Sequence, residues 1–231
     1  MITLYDLSTR FEQVRFSPFC WRVKLALAHK GLVWEEVPIS FTQMNALPEP
    51  SEGKVPVLVD DGEVVCDSWN IALFLDDKYA NNPLFEGDES RSQSFFIKVW
   101  MESLQYLVSR MGVLDFYSLQ GEAEKQYFRT SRERRYGMTL EEWGGNSELY
   151  RDELSKRLEP LRQAVAVRPF LGGEAPNFSD HIVFGTFQWL RCAARTPLLE
   201  KEDVLYQYRD RLLDLYGGLG RSAPEYSSVI D

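Results

Sequence analysis

Histidine is scarce in this 231-residue chain, which has only His29 and His181, and its three cysteines, Cys20, Cys66 and Cys192, stand far apart. With no close pair of imidazoles or thiols, the three or four ligands of a zinc site cannot be assembled, so no metal is expected. A small, odd number of dispersed cysteines also argues against a disulfide framework. It points to a reducing compartment, with the cytoplasm as the expected location. Positive charge is in deficit, 26 Lys and Arg against 35 Asp and Glu, for a net charge of −9. Nothing attracts a polyanion globally, so neither nucleic acid nor an acidic membrane is an expected partner. No apolar run reaches membrane-spanning length, and Met1 to Asp6 lack the basic-then-apolar order of an export signal. Gly53-Lys54 is followed by Val55 rather than Ser or Thr, which excludes a phosphate loop. The glycines at 217, 218 and 220 follow a helical pattern without the rest of a dinucleotide fingerprint, and no G-x-S-x-G elbow is present.

What is present is 44% hydrophobic residues, enough for a packed core, in a strongly segregated pattern. Ile2 to Leu7 alternate as a strand, Ser17-Pro18 opens a helix through His29 that Gly31 stops, and Val33 to Ile39 form a second strand. Val55 to Val59, the turn Asp60-Asp61-Gly62 and Val64 to Cys66 read as an antiparallel hairpin, after which Asp67-Ser68 opens a helix ending near Tyr79. The order is βαβ then ββα, a mixed four-stranded sheet with helices packed on it. Past Pro83 the strand signal stops. Helices are expected over 89–118, 122–143, 146–167, 177–194 and 201–216. Residues 1–80 and 89–231 are therefore expected to form two domains joined by a linker at 81–88. Asn177-Phe-Ser-Asp180 carries cap residues three apart ahead of an apolar run, the pattern of a central helix. The basic stretch Arg129, Arg132, Arg134 and Arg135 reads as a solvated helix face, although it also has the makings of an anion clamp.

Taken in order, Ser17-Pro-Phe-Cys-Trp-Arg-Val-Lys24, Lys54-Val-Pro56 and Asp67-Ser68 resemble the glutathione transferase superfamily over nearly the whole chain. More narrowly, Leu4-Tyr-Asp-Leu7, His29-Lys-Gly31, Asp67-Ser-Trp69 and Asp214-Leu-Tyr-Gly-Gly-Leu-Gly220 are similar to the bacterial lignin β-etherases and fungal etherase-related transferases. The resemblance implies an α/β thioredoxin-like N-terminal domain followed by an all-α C-terminal domain, assembled as a homodimer. It further implies a cis Val55-Pro56 bond that leaves the backbone of Val55 free to pair with the cysteinyl part of glutathione. Asp67 and Ser68 would hold the γ-glutamyl end, with Lys54 as a further contact.

A free thiol has a pKa of about 8.5, so most of it is protonated and weakly reactive at neutral pH. A hydroxyl at a helix N-terminus stabilises the thiolate by donating a hydrogen bond where the helix carries partial positive charge. Ser17 is positioned for that work, or else it is only an N-cap; Asp67 and Ser68 likewise serve as caps whether or not they bind. Cys20 stands at the second position of a redox C-x-x-C whose first thiol is missing, and is expected to be an inert residue facing the sheet. The expected activity is conjugation of glutathione to a small hydrophobic, aromatic electrophile. Cleavage of a β-aryl ether and a non-catalytic ligand carrier are the alternatives. Trp100, Tyr106, Phe116 and Tyr117 are available either for an aromatic pocket or for ordinary core packing.

Overall fold

The computed structural model describes Met1 to Ile230. The first part contains β1 (Ile2–Leu7), α1 (Pro18–His29), β2 (Trp34–Ile39), a short 3-10 segment (Phe41–Ala46), β3 (Val57–Asp60), β4 (Glu63–Cys66) and α2 (Ser68–Lys78). The strands form one sheet in the order β2-β1-β3-β4, with β1 parallel to β2 and the other pairs antiparallel. This is the βαβ-ββα, thioredoxin-like arrangement. The second part is all-helical: α3 (Gly87–Ser103), α4 (Gln105–Ser118), α5 (Glu122–Tyr136), α6 (Leu140–Gly144), α7 (Ser147–Arg157), α8 (Glu159–Ala166), α9 (Phe178–Ala193) and α10 (Val204–Gly218).

Four expected helices are altered, each for a local reason. The segment 89–118 is two helices, because the backbone at Leu104 leaves the helical path (φ −91°, ψ −6°) and its N–H turns to the Met101 carbonyl three residues back. The segment 122–143 is interrupted by Gly137 in the left-handed conformation (φ 70°), after which Thr139 and Glu142 form a new capping box. The segment 146–167 breaks at Leu158, since Pro160 has no N–H to donate. The last helix starts at Val204 and loses helical geometry at Leu215, with positive φ at Tyr216, Gly217 and Gly218. The glycine-rich stretch is therefore a helix stop.

Both parts share one core through α1, whose residues Cys20 to Leu27 are all buried between the sheet and α9. Helix α9 is buried on nearly every face, including the polar Ser179, Asp180, His181, Thr186 and Gln188, so it is a central helix rather than a surface one with a single apolar stripe. Asp180 ties its start down: its carboxylate accepts the N–H groups of Leu171, Gly172 and Asn177 and the hydroxyl of Tyr208. Trp21 meets Phe184 edge to face, 5.8 Å between centroids. Closer still, a Cβ on Gly185 would fall 2.2 Å from the Pro18 carbonyl oxygen, so only glycine lets α9 approach the first turn of α1. The Tyr216 hydroxyl lies 2.8 Å from Nδ1 of His29 and 3.0 Å from Nε2 of His181, joining α1, α9 and the end of α10.

Candidate active site

The first turn of α1 is presented by a short loop after β1, fixed by the Trp21 indole N–H donating to the Arg15 carbonyl at 2.8 Å. Ser17 is the N-cap, and Pro18 fills the first helical position, where a missing N–H costs nothing. The buried Ser17 hydroxyl accepts the Cys20 N–H at 3.3 Å. That bond uses a lone pair of the oxygen. Its proton remains available for an acceptor lying beyond the helix N-terminus.

Next to this hydroxyl is a cavity of about 390 Å³ between the two parts of the chain, lined by Ser17, Lys54 and Val55 together with aromatic side chains from both parts. Phe16 lies 4.5 Å from Phe116, Phe116 lies 5.2 Å from Phe128 and 5.9 Å from Trp189, and Phe41 lies 5.6 Å from Phe128, all as ring centroids. Such a wall suits an aromatic guest through offset and edge contacts. Of the aromatics singled out in the sequence, only Phe116 lines this cleft. Tyr106 borders an adjoining cavity, while Trp100 and Tyr117 pack against the two hydrophobic clusters. Phe16, Phe41, Phe128 and Trp189 come from four separate segments, and no sequence signal groups them.

The β3–β4 pairing of Val57 with Cys66 brings the Val55-Pro56 peptide and the Asp67-Ser68 corner to the same end of the hairpin. The Val55-Pro56 bond is cis, and neither the N–H nor the C=O of Val55 has a hydrogen-bond partner among the described residues. Asp67 sits at φ 73°, ψ 134°, a strained position for a residue with a Cβ, while its carboxylate accepts the N–H groups of Trp69 (2.9 Å) and Asn70 (3.2 Å). Its side chain is therefore occupied as a cap. Ser68 is buried, and its Oγ has no partner among the described residues, an uncommon and costly state for a hydroxyl. Neither Asp67 nor Ser68 lines the aromatic cleft. Lys54 stands at its exposed rim, paired with Glu52 at 3.0 Å.

Cys20 faces the sheet, fully buried, with Sγ 3.9 Å from the Tyr5 carbonyl. Burial, and then the nearby Asp6 carboxylate, push its thiol well above the ordinary range. Both effects favour the protonated thiol over the nucleophilic thiolate. The basic stretch divides. Arg129 pairs with Glu133 and Glu141 at the surface, and Arg134 and Arg135 are exposed, as expected of a solvated face. Arg132 departs from that reading. One helical turn from Phe128, it turns into the cleft.

Residues 13–83 match the glutathione S-transferase N-terminal domain and residues 92–217 the glutathione S-transferase C-terminal domain. The chain belongs to the glutathione S-transferase family. Among known proteins it is 23% identical over 184 residues to glutathione S-transferase U22 of Arabidopsis thaliana, covering 78% of this chain and 72% of that one. The crystal structure of glutathione transferase GSTFuA3 from Phanerochaete chrysosporium has the same fold, with a TM-score of 0.73 at 22% identity over 98% of this chain and 96% of that one. Rice GST1, solved in complex with glutathione, superposes with a TM-score of 0.66 at 22% identity, covering 99% of this chain and 92% of that one.

Proposed function

We propose that this protein joins glutathione to a hydrophobic aromatic electrophile, with Ser17 stabilising the cysteinyl thiolate. The observation that carries this reading is the Ser17 hydroxyl at the start of α1, which accepts a hydrogen bond from the Cys20 N–H and borders an aromatic-walled cleft. Three further features fit the tripeptide. The backbone of Val55 is unpaired where a cysteinyl amide would lie. The orphan Ser68 hydroxyl stands at the N-terminus of an 11-residue helix, a favourable place for the γ-glutamyl carboxylate. Lys54 at the rim supplies a further cationic contact.

In this mechanism the protein contributes position and electrostatics. The Ser17 hydroxyl and the α1 terminus hold the sulfur deprotonated, the aromatic wall orients the acceptor, and the sulfur attacks an electrophilic carbon. Where that carbon bears an aryloxy group, a C–S bond forms as the C–O bond breaks, and the phenolate leaves to take a proton from water. Aryl-ether cleavage is thus the same step with a different leaving group.

The working protein is proposed to be a cytoplasmic homodimer. Phe95, Phe96 and Val99 lie exposed within about one turn of α3, an apolar strip that pairing would cover. Sedimentation should give twice the 26.8 kDa chain mass. Incubation with glutathione and a mixture of aryl halides, isothiocyanates and aromatic ethers should yield glutathione adducts by mass spectrometry. Tight glutathione binding with no adduct from any of them would instead identify a carrier.

A further inference from the structure

The chain is acidic, with a net charge of −9, yet among the described residues no Asp or Glu lines the cleft, and the charged residues that do are Lys54 and Arg132. The charge of Lys54 is already met by Glu52 at the rim. Among the described residues Arg132 has no such partner. Its guanidinium lies over two lining rings, 4.9 Å from the centroid of Phe128 and 5.6 Å from that of Phe41. Its one hydrogen bond within the described residues goes to the neighbouring Ser131 hydroxyl at 3.1 Å. Nor does it pair with a carboxylate there. Arg129, one turn earlier on the same helix, satisfies two glutamates, so the acids of this region are committed elsewhere.

A half-buried cation with no counter-charge is costly, and burial does lower the Arg132 pKa, though a guanidinium stays charged at any working pH. Such a group is poised for an anion that arrives with a ligand. The geometry around it specifies the rest of that ligand. The planar fork donates two parallel hydrogen bonds to a carboxylate, and the rings of Phe41, Phe128 and Phe116 lie beside it. On the reading that the cleft holds the acceptor, we infer that the second substrate is an aromatic electrophile bearing a carboxylate, which Arg132 binds. Arg132 is then a specificity-determining residue, with no part in activating the sulfur. Its anion selectivity is local, against the repulsive field of the acidic chain as a whole.

The test compares binding and turnover of paired acceptors that differ only in charge. Unreactive nitrobenzoate and nitrobenzamide are titrated into the protein saturated with S-methylglutathione, and chloronitrobenzoate is compared with its carboxamide in the conjugation assay. Wild type should favour each acid over its amide by about tenfold or more, the scale of one charge-assisted hydrogen-bond pair. Arg132→Gln should abolish that preference, and Arg132→Lys should restore part of it. The preference is a ratio, so a general loss of activity or of folded protein cancels.

Equal acid-to-amide ratios in wild type and Arg132→Gln would overturn the inference. So would a large loss of glutathione affinity in Arg132→Gln, because the guanidinium would then face the tripeptide. The binding arm needs no turnover. Acid preference in binding without any adduct would therefore uphold the Arg132 assignment while refuting the transferase mechanism, and adducts without acid preference would do the reverse.

Discussion

Replacing Ser17 by alanine removes two interactions that different measurements separate. The first is the cap: the Cys20 N–H loses its acceptor, which costs about 0.5 to 2 kcal/mol of stability in general. The lower end applies here, because the bond is long at 3.3 Å and Pro18 has already removed one of the N–H groups that need a partner. The second is the proton offered to the thiolate. A hydrogen bond to a charged acceptor is worth about 1.5 to 3 kcal/mol, and one pKa unit corresponds to about 1.4 kcal/mol, so the bound thiol should titrate about one to two units higher in the variant. Below the wild-type pKa, kcat/KM should then fall about ten- to hundredfold. The loss should shrink as pH rises, since alkali ionises the thiol without help. The assay is kcat/KM against pH with a non-ionising electrophile, joined to ultraviolet titration of the bound thiolate and to urea unfolding. An unshifted profile in a folded Ser17→Ala protein, or one lowered by the same factor at every pH, refutes the thiolate role. Cys20→Ser serves as the control and should keep the wild-type profile. If it abolishes turnover instead, while Ser17→Ala leaves the profile in place, the chemistry runs through a mixed disulfide at Cys20.

Ser68→Ala should weaken glutathione binding by about 1 to 3 kcal/mol in calorimetry while leaving stability equal or slightly higher, because its hydroxyl has no partner among the described residues. Unchanged affinity would remove Ser68 from the pocket. Gly185→Ala should cost about 1 to 3 kcal/mol in thermal unfolding, since the new methyl group meets the Pro18 carbonyl at 2.2 Å; an unaffected midpoint would mean that α9 and α1 pack less closely. Burial raises the Asp60 carboxyl, but hydrogen bonds from Lys78 and Tyr79 outweigh it and hold the pKa below the usual range. A depressed folded pKa means stability that is present above the unfolded value of about 3.9 and lost as pH falls through the folded one. Asp60→Asn should therefore be less stable than wild type at neutral pH, with the gap closing in acid. A gap independent of pH would show that the carboxylate charge is not what the site uses.

The sequence alone determined the strands and helices of the first part, their order, and the central helix of the second, because strand alternation, the Ser17-Pro18 and Asp67-Ser68 openings, the Asp60-Asp61-Gly62 turn and the Asn177 cap are all local signals. It also marked Ser17, Lys54, Val55, Asp67 and Ser68, since each belongs to a short motif read within a few residues of itself. Where it misjudged helices, the break at Leu104 depends on how a bend packs, whereas Pro160 just after Leu158, Gly137 and the Thr139 to Glu142 box are local signals readable in the sequence. The cleft belongs to another category. Phe16, Phe41, Phe116, Phe128 and Trp189 come from five segments that meet only after α1 packs on α9, and an isolated aromatic in a sequence looks the same whether it fills a core or lines a cavity. Arg132 illustrates the limit most clearly. Its neighbours Arg129, Arg134 and Arg135 carry the same charge on the same helix, and only the docking of α5 against Phe41 and Phe116 decided which of the four would line the cleft.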